Sequence, residues 1–400
     1  MFGAPVTSAI TPVPFPSPDE EWLNKPTADE VRLTVAGING AVTPPGGLTD
    51  VQRAVLNAHV VSMTDYPIDV TSVPAMGPQE FAEGLRYRNR AFRERMVQIM
   101  LLGEMLLVPI PREVSERVET YAAWLGVGDD MIQVVRRIAN GSLGLALIDF
   151  QRSGYFERML AEPPEHLHTS RALDEAWQAA CSDDELYARW AALEHCPEGS
   201  LGLGVWRFYR ARAFTFPGRP ESAPPQLAQH DWIHVLADYG STVESEIEVF
   251  GLISRANDDP GAFSLLAMVL GLFETGYLYG AAKGFFEYDR GHLSRDVDRM
   301  AVRLADATYR GAILAKHVND AGRGSKATDL LATDWFAHAD RPIDDVRADY
   351  GLPPRSEAAI TAGSRTAWER GGISPFQYAH GREVAEAEGR EYESFGAEPA

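Results

Sequence analysis

The spacing of apolar residues along the chain predicts helices almost throughout. Apolar side chains recur at helical intervals in most stretches after residue 48, and the alternation typical of strands is scarce. In the N-terminal half, helices are predicted from Asp50 behind a capping Thr49, and over 78–106, 113–124 and 129–140. In the C-terminal half, they are predicted from Asp183 to about His195, and over 200–214, 230–238, 242–256, 261–285, 292–318 and 342–350. The pattern therefore predicts an all-α fold made of two helical bundles.

Proline-rich and polar stretches divide the chain into five parts. The first 26 residues hold six prolines and little periodicity, which is typical of an extended arm. The predicted parts are an arm over 1–26, an N-terminal helical bundle over 27–160, a linker with short helices over 161–194, a second helical domain over 195–353 and a polar tail over 354–400. The tail is interpreted as a solvated or partner-contacting segment with a helical stretch near 382–393.

The N-terminal half carries two segments that resemble a known helical domain. They are Leu101-Leu102-Gly103-Glu104 and the segment from Glu113 to Gly126. Both resemble the TerB-like (tellurite-resistance) domains, which usually place an acidic, metal-binding pair after the central helix. Here that place is apolar, Met-Leu-Leu-Val-Pro over 105–109. The resemblance therefore implies helical packing without a metal site, and a helical bundle unrelated to those domains is the alternative.

One short segment combines the residue types that bind metals in helical proteins. His230 and His234 are four residues apart, which places them on one face of a helix, and Asp231 lies at the edge of that face. Glu246 follows twelve residues after His234, and Gly240 is midway between them. A helical hairpin that turns at Gly240 would bring His234 and Glu246 level on facing helices. Two imidazoles and two carboxylates would then converge, as they do in the metal sites of helical bundles.

The phase of the second helix singles out Glu246 among its neighbours. The apolar residues that share one face of this helix are Val243, Ile247, Phe250 and Ile253. Glu246 lies within that face, whereas Glu244 and Glu248 are predicted to point away from it. Because an unpaired buried charge is very costly, Glu246 is expected to face the histidines and the aspartate of the preceding helix. Ser241 and Glu244 are interpreted as a capping box that starts the helix.

These four residues predict a divalent-metal site. Two imidazoles and two carboxylates, from His230, Asp231, His234 and Glu246, suit zinc best, but iron, manganese and cobalt accept the same ligands. The sequence leaves the choice of metal open. The alternative is that the histidines share a face by chance and Glu246 merely forms a salt bridge with one of them.

The charge and cysteine content of the chain limit the partners and the cellular compartment that are expected for the protein. The formal net charge of −20 argues against nucleic acid and against adhesion to anionic membranes. Two cysteines make no disulfide framework, so a reducing cytoplasm is the simplest compartment, with peripheral membrane association left open. The N-terminus lacks the pattern of a secretory signal. The apolar stretch that begins at Gly261 has only 13 uncharged residues before Glu274, which is too short to span a bilayer.

The metal-ligand segment also resembles a known family. The spacing of His230, Asp231, His234 and Glu246 is the signature of the coenzyme Q biosynthesis protein 4 family. Three further segments resemble it: Gly199 to Tyr209, residues 243–258, and Trp335 to Gly351, so the resemblance covers about residues 195–353. The family's usual polar stretch before the motif is replaced here by Pro-Pro-Gln-Leu-Ala-Gln over 224–229, and a fused N-terminal bundle is unusual.

What the resemblance implies is an all-α metalloprotein of ubiquinone synthesis. It implies a divalent metal, usually taken as zinc, on the four ligands named above. It also implies action on a prenylated quinone-ring precursor, with replacement of the C1 carboxyl by a hydroxyl, and contact with other enzymes of that synthesis. An apolar pocket for the prenyl chain is expected, and its candidate lining residues are Phe263, Leu265, Leu266, Met268, Val269, Leu272 and Phe273. Plain helix core is the alternative use of those residues.

Three functions remain open from the sequence. The first is a metal-dependent enzyme, an oxidative decarboxylase acting on the prenylated precursor. The second is a non-catalytic lipid-binding or scaffold protein in which the metal joins two helices. The third is a stress-related helical protein whose N-terminal half defines its role. A homo-oligomer is compatible with each of them.

Overall fold

The described part of the chain is helical. The computed structural model describes residues 26–128, 132, 183–219, 222, 228–256, 266–267, 295–322 and 328–400. The α-helices in the N-terminal half are α1 (Ala28–Val42), α2 (Asp50–Thr64), α3 (Pro78–Gly84), α4 (Arg90–Met105) and α5 (Arg112–Leu125). Those in the C-terminal half are α6 (Asp184–Ala191), α7 (Leu201–Arg212), α8 (Gln229–Ala237), α9 (Val243–Ala256), α10 (Val297–Asp320), α11 (Ile343–Asp349), α12 (Glu357–Thr361) and α13 (Pro375–Ala387).

The predicted all-α class is confirmed. Within the described residues there is no strand, and extended pairing is limited to two isolated bridges, Ser200 with Pro342 and Arg370 with Glu398. None of the helices described is both long enough and apolar enough to cross a bilayer. Most predicted helices begin and end within a few residues of the observed bounds, and Thr49 caps α2 with a complete capping box, as expected.

The predicted single helix over 78–106 is wrong, because the chain breaks it into α3 and α4. Asn89 accepts a hydrogen bond from the backbone N–H of Phe92 and so starts a new helix. Arg88, in the link between the two helices, forms a buried ion pair with Glu30 at the start of α1, at 2.8 Å. The apolar spacing continues across the link, and this is why the sequence pattern did not reveal the break.

Two hydrophobic cores lie in the two halves of the chain. In the N-terminal half, α1, α3, α4 and α5 enclose a core whose largest members include Phe81, Phe92, Met100 and Tyr121. In the C-terminal half, α6 to α11 enclose a core that includes Trp190, Phe208, Trp232, Trp335 and Tyr350. Trp190 packs against Trp232 with their ring centroids 5.6 Å apart. The second core surrounds α8 and so supports the candidate ligands.

A third buried cluster joins the two halves. Val51 and Leu102, from the N-terminal helices, pack with Ile247, Phe250 and Leu304, from α9 and α10. The same face of α9 that carries Glu246 is therefore covered by N-terminal helices. The N-terminal half thus forms one wall of the region that contains the candidate metal ligands.

The interpretation of residues 354–400 as a solvated tail is wrong. Ala359, Ile373, Ala385 and Ala397 are almost completely buried. The predicted helical stretch near 382–393 is also displaced: the observed helix is α13, which begins behind a Ser374 capping box and packs against α7. The polar composition of the segment led to the wrong prediction, because the segment contacts the core mainly through backbone groups and small side chains.

Several predictions fall on residues outside the described part of the chain. These are the arm over 1–25, the helix over 129–140 except for residue 132, most of the linker over 161–194 and most of the helix over 261–285. Of the candidate pocket residues, the described part includes Leu266 alone, and Leu266 is buried in the third cluster. The pocket for a prenyl chain therefore stays a prediction.

Candidate metal centre

The two helices predicted to form a hairpin do so, and they bring the four candidate ligands together. α8 ends at Ala237 and α9 begins at Val243, with Gly240 in the turn between them. Nε2 of His234 lies 3.2 Å from one carboxylate oxygen of Glu246, and Nε2 of His230 lies 3.3 Å from the other. Nε2 of His230 is also 3.4 Å from Oδ1 of Asp231. The prediction that Glu246 faces the histidines is confirmed.

The separations between histidine nitrogens and carboxylate oxygens are close to those between neighbouring ligand atoms of a zinc ion. Zinc bonds of about 2.0–2.2 Å to nitrogen and oxygen place tetrahedral ligand atoms roughly 3.4 Å from one another. The measured nitrogen-to-oxygen distances, 3.2 to 3.4 Å, are close to that value. One ligand atom from each of His230, Asp231 and His234 lies within 4.8 Å of the others. These three residues could hold a metal ion.

His234 is held in the tautomer that a metal ligand requires. Its side chain is fully buried, and its Nδ1 lies 2.6 Å from the carbonyl oxygen of Gly240. A carbonyl oxygen only accepts hydrogen bonds, so Nδ1 must carry the hydrogen. Nε2 makes no hydrogen bond despite its closeness to Glu246. When the ring is neutral, the lone pair of Nε2 therefore faces the carboxylate of Glu246. A cation between Nε2 and this carboxylate would stabilise the arrangement.

Asp231 is shared between the histidines and a buried tyrosine. Its second carboxylate oxygen accepts a hydrogen bond of 2.5 Å from the hydroxyl of Tyr209 on α7. Burial is the main cause that raises the pKa of Asp231, and the imidazoles of His230 and His234 only partly offset it. Burial and the neighbouring Asp231 raise the pKa of Tyr209 well above its usual range. Tyr209 therefore stays a hydrogen-bond donor that orients this carboxylate.

Glu246 is the more acidic of the two carboxyl groups. Burial alone would raise its pKa, but the imidazoles of His234 and His230 outweigh burial and bring the pKa far below its usual range. Glu246 is therefore ionised at neutral pH, in a place where only 9% of its side chain is exposed. An anionic carboxylate beside two imidazoles in a buried site is a suitable donor set for a divalent cation.

Aromatic rings hold both imidazoles in place. His230 stacks on Phe250, and His234 stacks on Phe208, with centroid separations of 5.3 and 5.2 Å. On Phe208 lies the guanidinium of Arg212, 3.9 Å from the ring centroid. Because a ring from α9 and a ring from α7 pack against the two imidazoles, the histidines can turn little about their side-chain bonds.

The turn at Gly240 is fixed by the C-terminal segment. The backbone N–H groups of Gly240 and Ser241 donate to the carbonyl oxygens of Arg365 and Gly372, each at 2.9 Å. A Cβ atom on Gly240 would lie 2.4 Å from the carbonyl oxygen of Gly372, so only glycine fits there without a shift. The segment that sequence composition marked as a tail therefore holds the carbonyl that orients His234.

Arg212 connects this turn to the rest of the site, and sequence reasoning missed it. The guanidinium is buried and donates to the hydroxyl of Ser241 and to the carbonyl oxygens of Ala367 and Gly372. Ser241 in turn donates to the side-chain oxygen of Gln377 on α13, at 2.6 Å. Burial lowers the pKa of Arg212 to about 9, and Asp231 and Glu246 are among the groups that oppose this. No sequence signal distinguishes Arg212 from the neighbouring arginines of α7.

One smaller prediction about α9 is wrong. The helix is capped by Thr242, whose hydroxyl accepts from the N–H of Ser245, and not by Ser241. Glu248, which was predicted to point away from the Glu246 face, is buried and forms an ion pair of 2.7 Å with Arg303 on α10. The helix α9 is therefore enclosed on more than one side, and its polar residues have partners inside the protein.

Comparison of the chain with protein-family models, with curated proteins and with solved structures finds no significant match. The resemblances to the coenzyme Q biosynthesis protein 4 family and to the TerB-like domains accordingly stay predictions from sequence motifs.

Proposed function

We propose that this protein is a metalloprotein of the ubiquinone-biosynthesis type. In this proposal, a divalent ion, with zinc the first choice, is bound by His230, Asp231 and His234, and Glu246 is the fourth ligand. Its substrate or cargo is a prenylated quinone-ring precursor that carries a carboxyl group. The observation that supports the proposal is the buried convergence of two imidazoles and two carboxylates, with Nε2 of His234 facing Glu246.

The residues of the site are suited to separate tasks in a reaction at the carboxyl group of this precursor. A bound divalent ion would supply Lewis-acid polarisation of a ring oxygen or of the ring carboxylate. Glu246 stays ionised and holds negative charge beside the imidazoles, because its pKa is far below the usual range. Asp231 and Glu246 would be ligands first, and either would carry a proton only after leaving the metal, whereas the Tyr209 hydroxyl keeps the Asp231 carboxyl oriented. Phe250 and Phe208 limit the access of water to the histidines.

A second candidate is a non-catalytic protein in which the ion joins α8 to α9. The nearly complete burial of the site favours it, because four protein ligands with no open position are typical of structural zinc sites. His230 is the most exposed of the four residues, with 12% of its side chain accessible. If the protein is an enzyme, the substrate would enter the site from the side of His230.

Metal analysis of purified protein tests the metal itself. We expect stoichiometric divalent metal in the wild type and a loss of affinity of about tenfold or more in Glu246→Gln. Glu244→Gln is the matched control, since it changes an equivalent group on the same helix outside the ligand set, and it should retain the metal. Failure of both the wild type and the control to bind any divalent metal would overturn the proposal.

Turnover separates the enzyme from the structural alternative. The metal-loaded wild type and His234→Ala are each incubated with a prenylated ring carboxylic acid under air, and product is followed by mass spectrometry. Turnover in the wild type and its loss in His234→Ala support the enzyme. If His234→Ala only lowers the unfolding temperature, and neither protein turns over the acid, the metal has the structural role.

A further inference from the structure

A separate cavity lies between the two halves of the molecule. It has a volume of about 470 Å³ and is lined by α1, α2 and α4 on one side and by α10 and the end of α9 on the other. This volume is within the range of small-molecule sites, about 300–1,000 Å³. Its described lining shares no residue with the candidate metal centre. Arg255, which lines it, lies nine residues after Glu246 on α9, a rise of about 13 Å along the helix.

The walls of this central cavity are mostly apolar helix faces. α4 contributes Phe92, Arg95, Met96 and Ile99, which have the spacing of a single helix face. α2 and α10 line the cavity with the same spacing, and α1 adds Val35 and Ile38. Arg95 therefore lies in the middle of the apolar face of α4, where helix patterning alone would place another aliphatic residue.

The charge of the cavity is positive within its described lining. The charged lining residues are Arg95, Arg255, Lys316 and Asp65. Lys316 and Asp65 lie at the surface, whereas Arg95 is only 1% exposed. Burial is the main cause that lowers the pKa of His59, a further lining residue, to about 4, and the charges of Arg95 and Arg255 lower it further. Arg95, Arg255 and His59 therefore lie close together in the lining of the cavity.

We propose that the central cavity binds an anionic amphiphile, with the acidic head at Arg95 and Arg255 and the hydrocarbon chain along the apolar faces of α1, α2 and α4. A buried cationic group is stabilised by an anion that it can hydrogen-bond, and arginine suits both carboxylate and phosphate. The apolar walls provide the favourable burial of a hydrocarbon chain. The head is thus either a carboxylate, as in a fatty acid, or a phosphate, as in a lysophospholipid-like ligand.

The experiment uses the full-length protein and three probes of equal chain length. Dodecanoate, dodecyl phosphate and dodecan-1-ol are titrated below their micelle concentrations by calorimetry. We expect saturable binding of one or both acids and weaker binding of the alcohol, which lacks the charge. The acid that binds more tightly identifies the source of the ligand. A chelator that removes the metal should leave the binding unchanged, because the cavity and the metal centre share no described residue.

Variants locate the site. Arg95→Met keeps the apolar stem but removes the charge, and it should weaken binding of the acids by about tenfold to hundredfold. Arg90→Met, on the exposed side of the same helix, is the matched control and should bind as the wild type does. Ala312→Phe keeps every charge and fills the cavity from α10, so it should abolish binding while circular dichroism and urea unfolding show a folded protein. This variant tests the site even if Arg95→Met does not fold.

Three results would overturn the proposal. The first is the absence of saturable binding of either acid to the wild type. The second is binding of dodecan-1-ol as tight as that of the acids, which would mean that the arginines play no part. The third is unchanged binding in folded Ala312→Phe, which would place the ligand elsewhere.

Discussion

Replacing Gly240 with alanine should loosen the turn that orients His234. The backbone of Gly240 has an ordinary φ, so alanine meets no conformational penalty there. The added Cβ would instead lie 2.4 Å from the carbonyl oxygen of Gly372 and 2.7 Å from its Cα. These are backbone atoms and cannot rotate away, so the two segments must separate by roughly 1 Å to reach normal contact. The substitution is therefore a steric test of one contact.

The expected loss of stability is moderate. Overpacking of a close-packed site costs about 1–3 kcal/mol, and a rigid backbone neighbour favours the upper part of that range. Separation also weakens the two backbone hydrogen bonds from Gly240 and Ser241, each worth about 0.5–1.5 kcal/mol. We expect the free energy of unfolding to fall by about 2–4 kcal/mol.

The effect on metal affinity follows from the hydrogen bond of His234. Its Nδ1 donates to the carbonyl oxygen of Gly240, and a shift of that carbonyl frees the imidazole to turn. Loss of such an orienting partner typically lowers metal affinity about 10- to 100-fold. The affinity is measured by competition with a chromophoric chelator, and stability by urea unfolding of the metal-free protein. The two measurements separate the packing effect from the ligand effect.

Gly46→Ala is the matched control, since a Cβ there meets no atom within 4 Å. It should change neither stability nor metal affinity measurably. If Gly240→Ala is as stable as Gly46→Ala and binds metal equally well, then the C-terminal segment does not hold the turn, and the account of how His234 is oriented is wrong.

Two buried acidic groups lead to further predictions. Burial raises the pKa of Glu104 to about 8, so the folded protein keeps this group protonated where the unfolded chain, with a pKa of 4.5, has lost the proton. The free energy of unfolding should therefore fall as pH rises from 4.5 to 8. Glu104→Gln should remove up to roughly 5 kcal/mol of that loss. The variant should therefore show a flatter profile of unfolding free energy against pH. Glu248→Gln, which leaves Arg303 buried without its anion, should cost about 3–5 kcal/mol in urea unfolding, whereas Glu248→Leu combined with Arg303→Met should be near neutral. A double variant as unstable as the single one would contradict this reasoning.

Much of the fold and the candidate ligand set follows from local sequence. The helix positions follow from apolar spacing and from caps such as Thr49, because these signals act within a few residues. The convergence of His234 and Glu246 follows from two helix faces and a glycine midway between them. Such a hairpin is a short-range structure, so the prediction needed no knowledge of distant contacts.

What the sequence did not reveal depends on contacts between distant parts of the chain. Arg88, in the break between α3 and α4, pairs with Glu30 on α1, and Glu248 is buried because α10 supplies Arg303. Neither partner can be identified from composition, because the sequence does not say which segments will meet.

The positions of the four candidate ligands were therefore determined by sequence, and their support was decided by tertiary structure. Gln377 and the carbonyl of Gly372 act on a turn more than 130 residues earlier, through Ser241 and Arg212. Gly372 acts through a backbone carbonyl, which every residue possesses and which leaves no mark in the sequence, and Gln377 acts through a side-chain oxygen on a distant helix. The spacing of side chains specifies which groups converge, whereas only the packed chain specifies what holds them still.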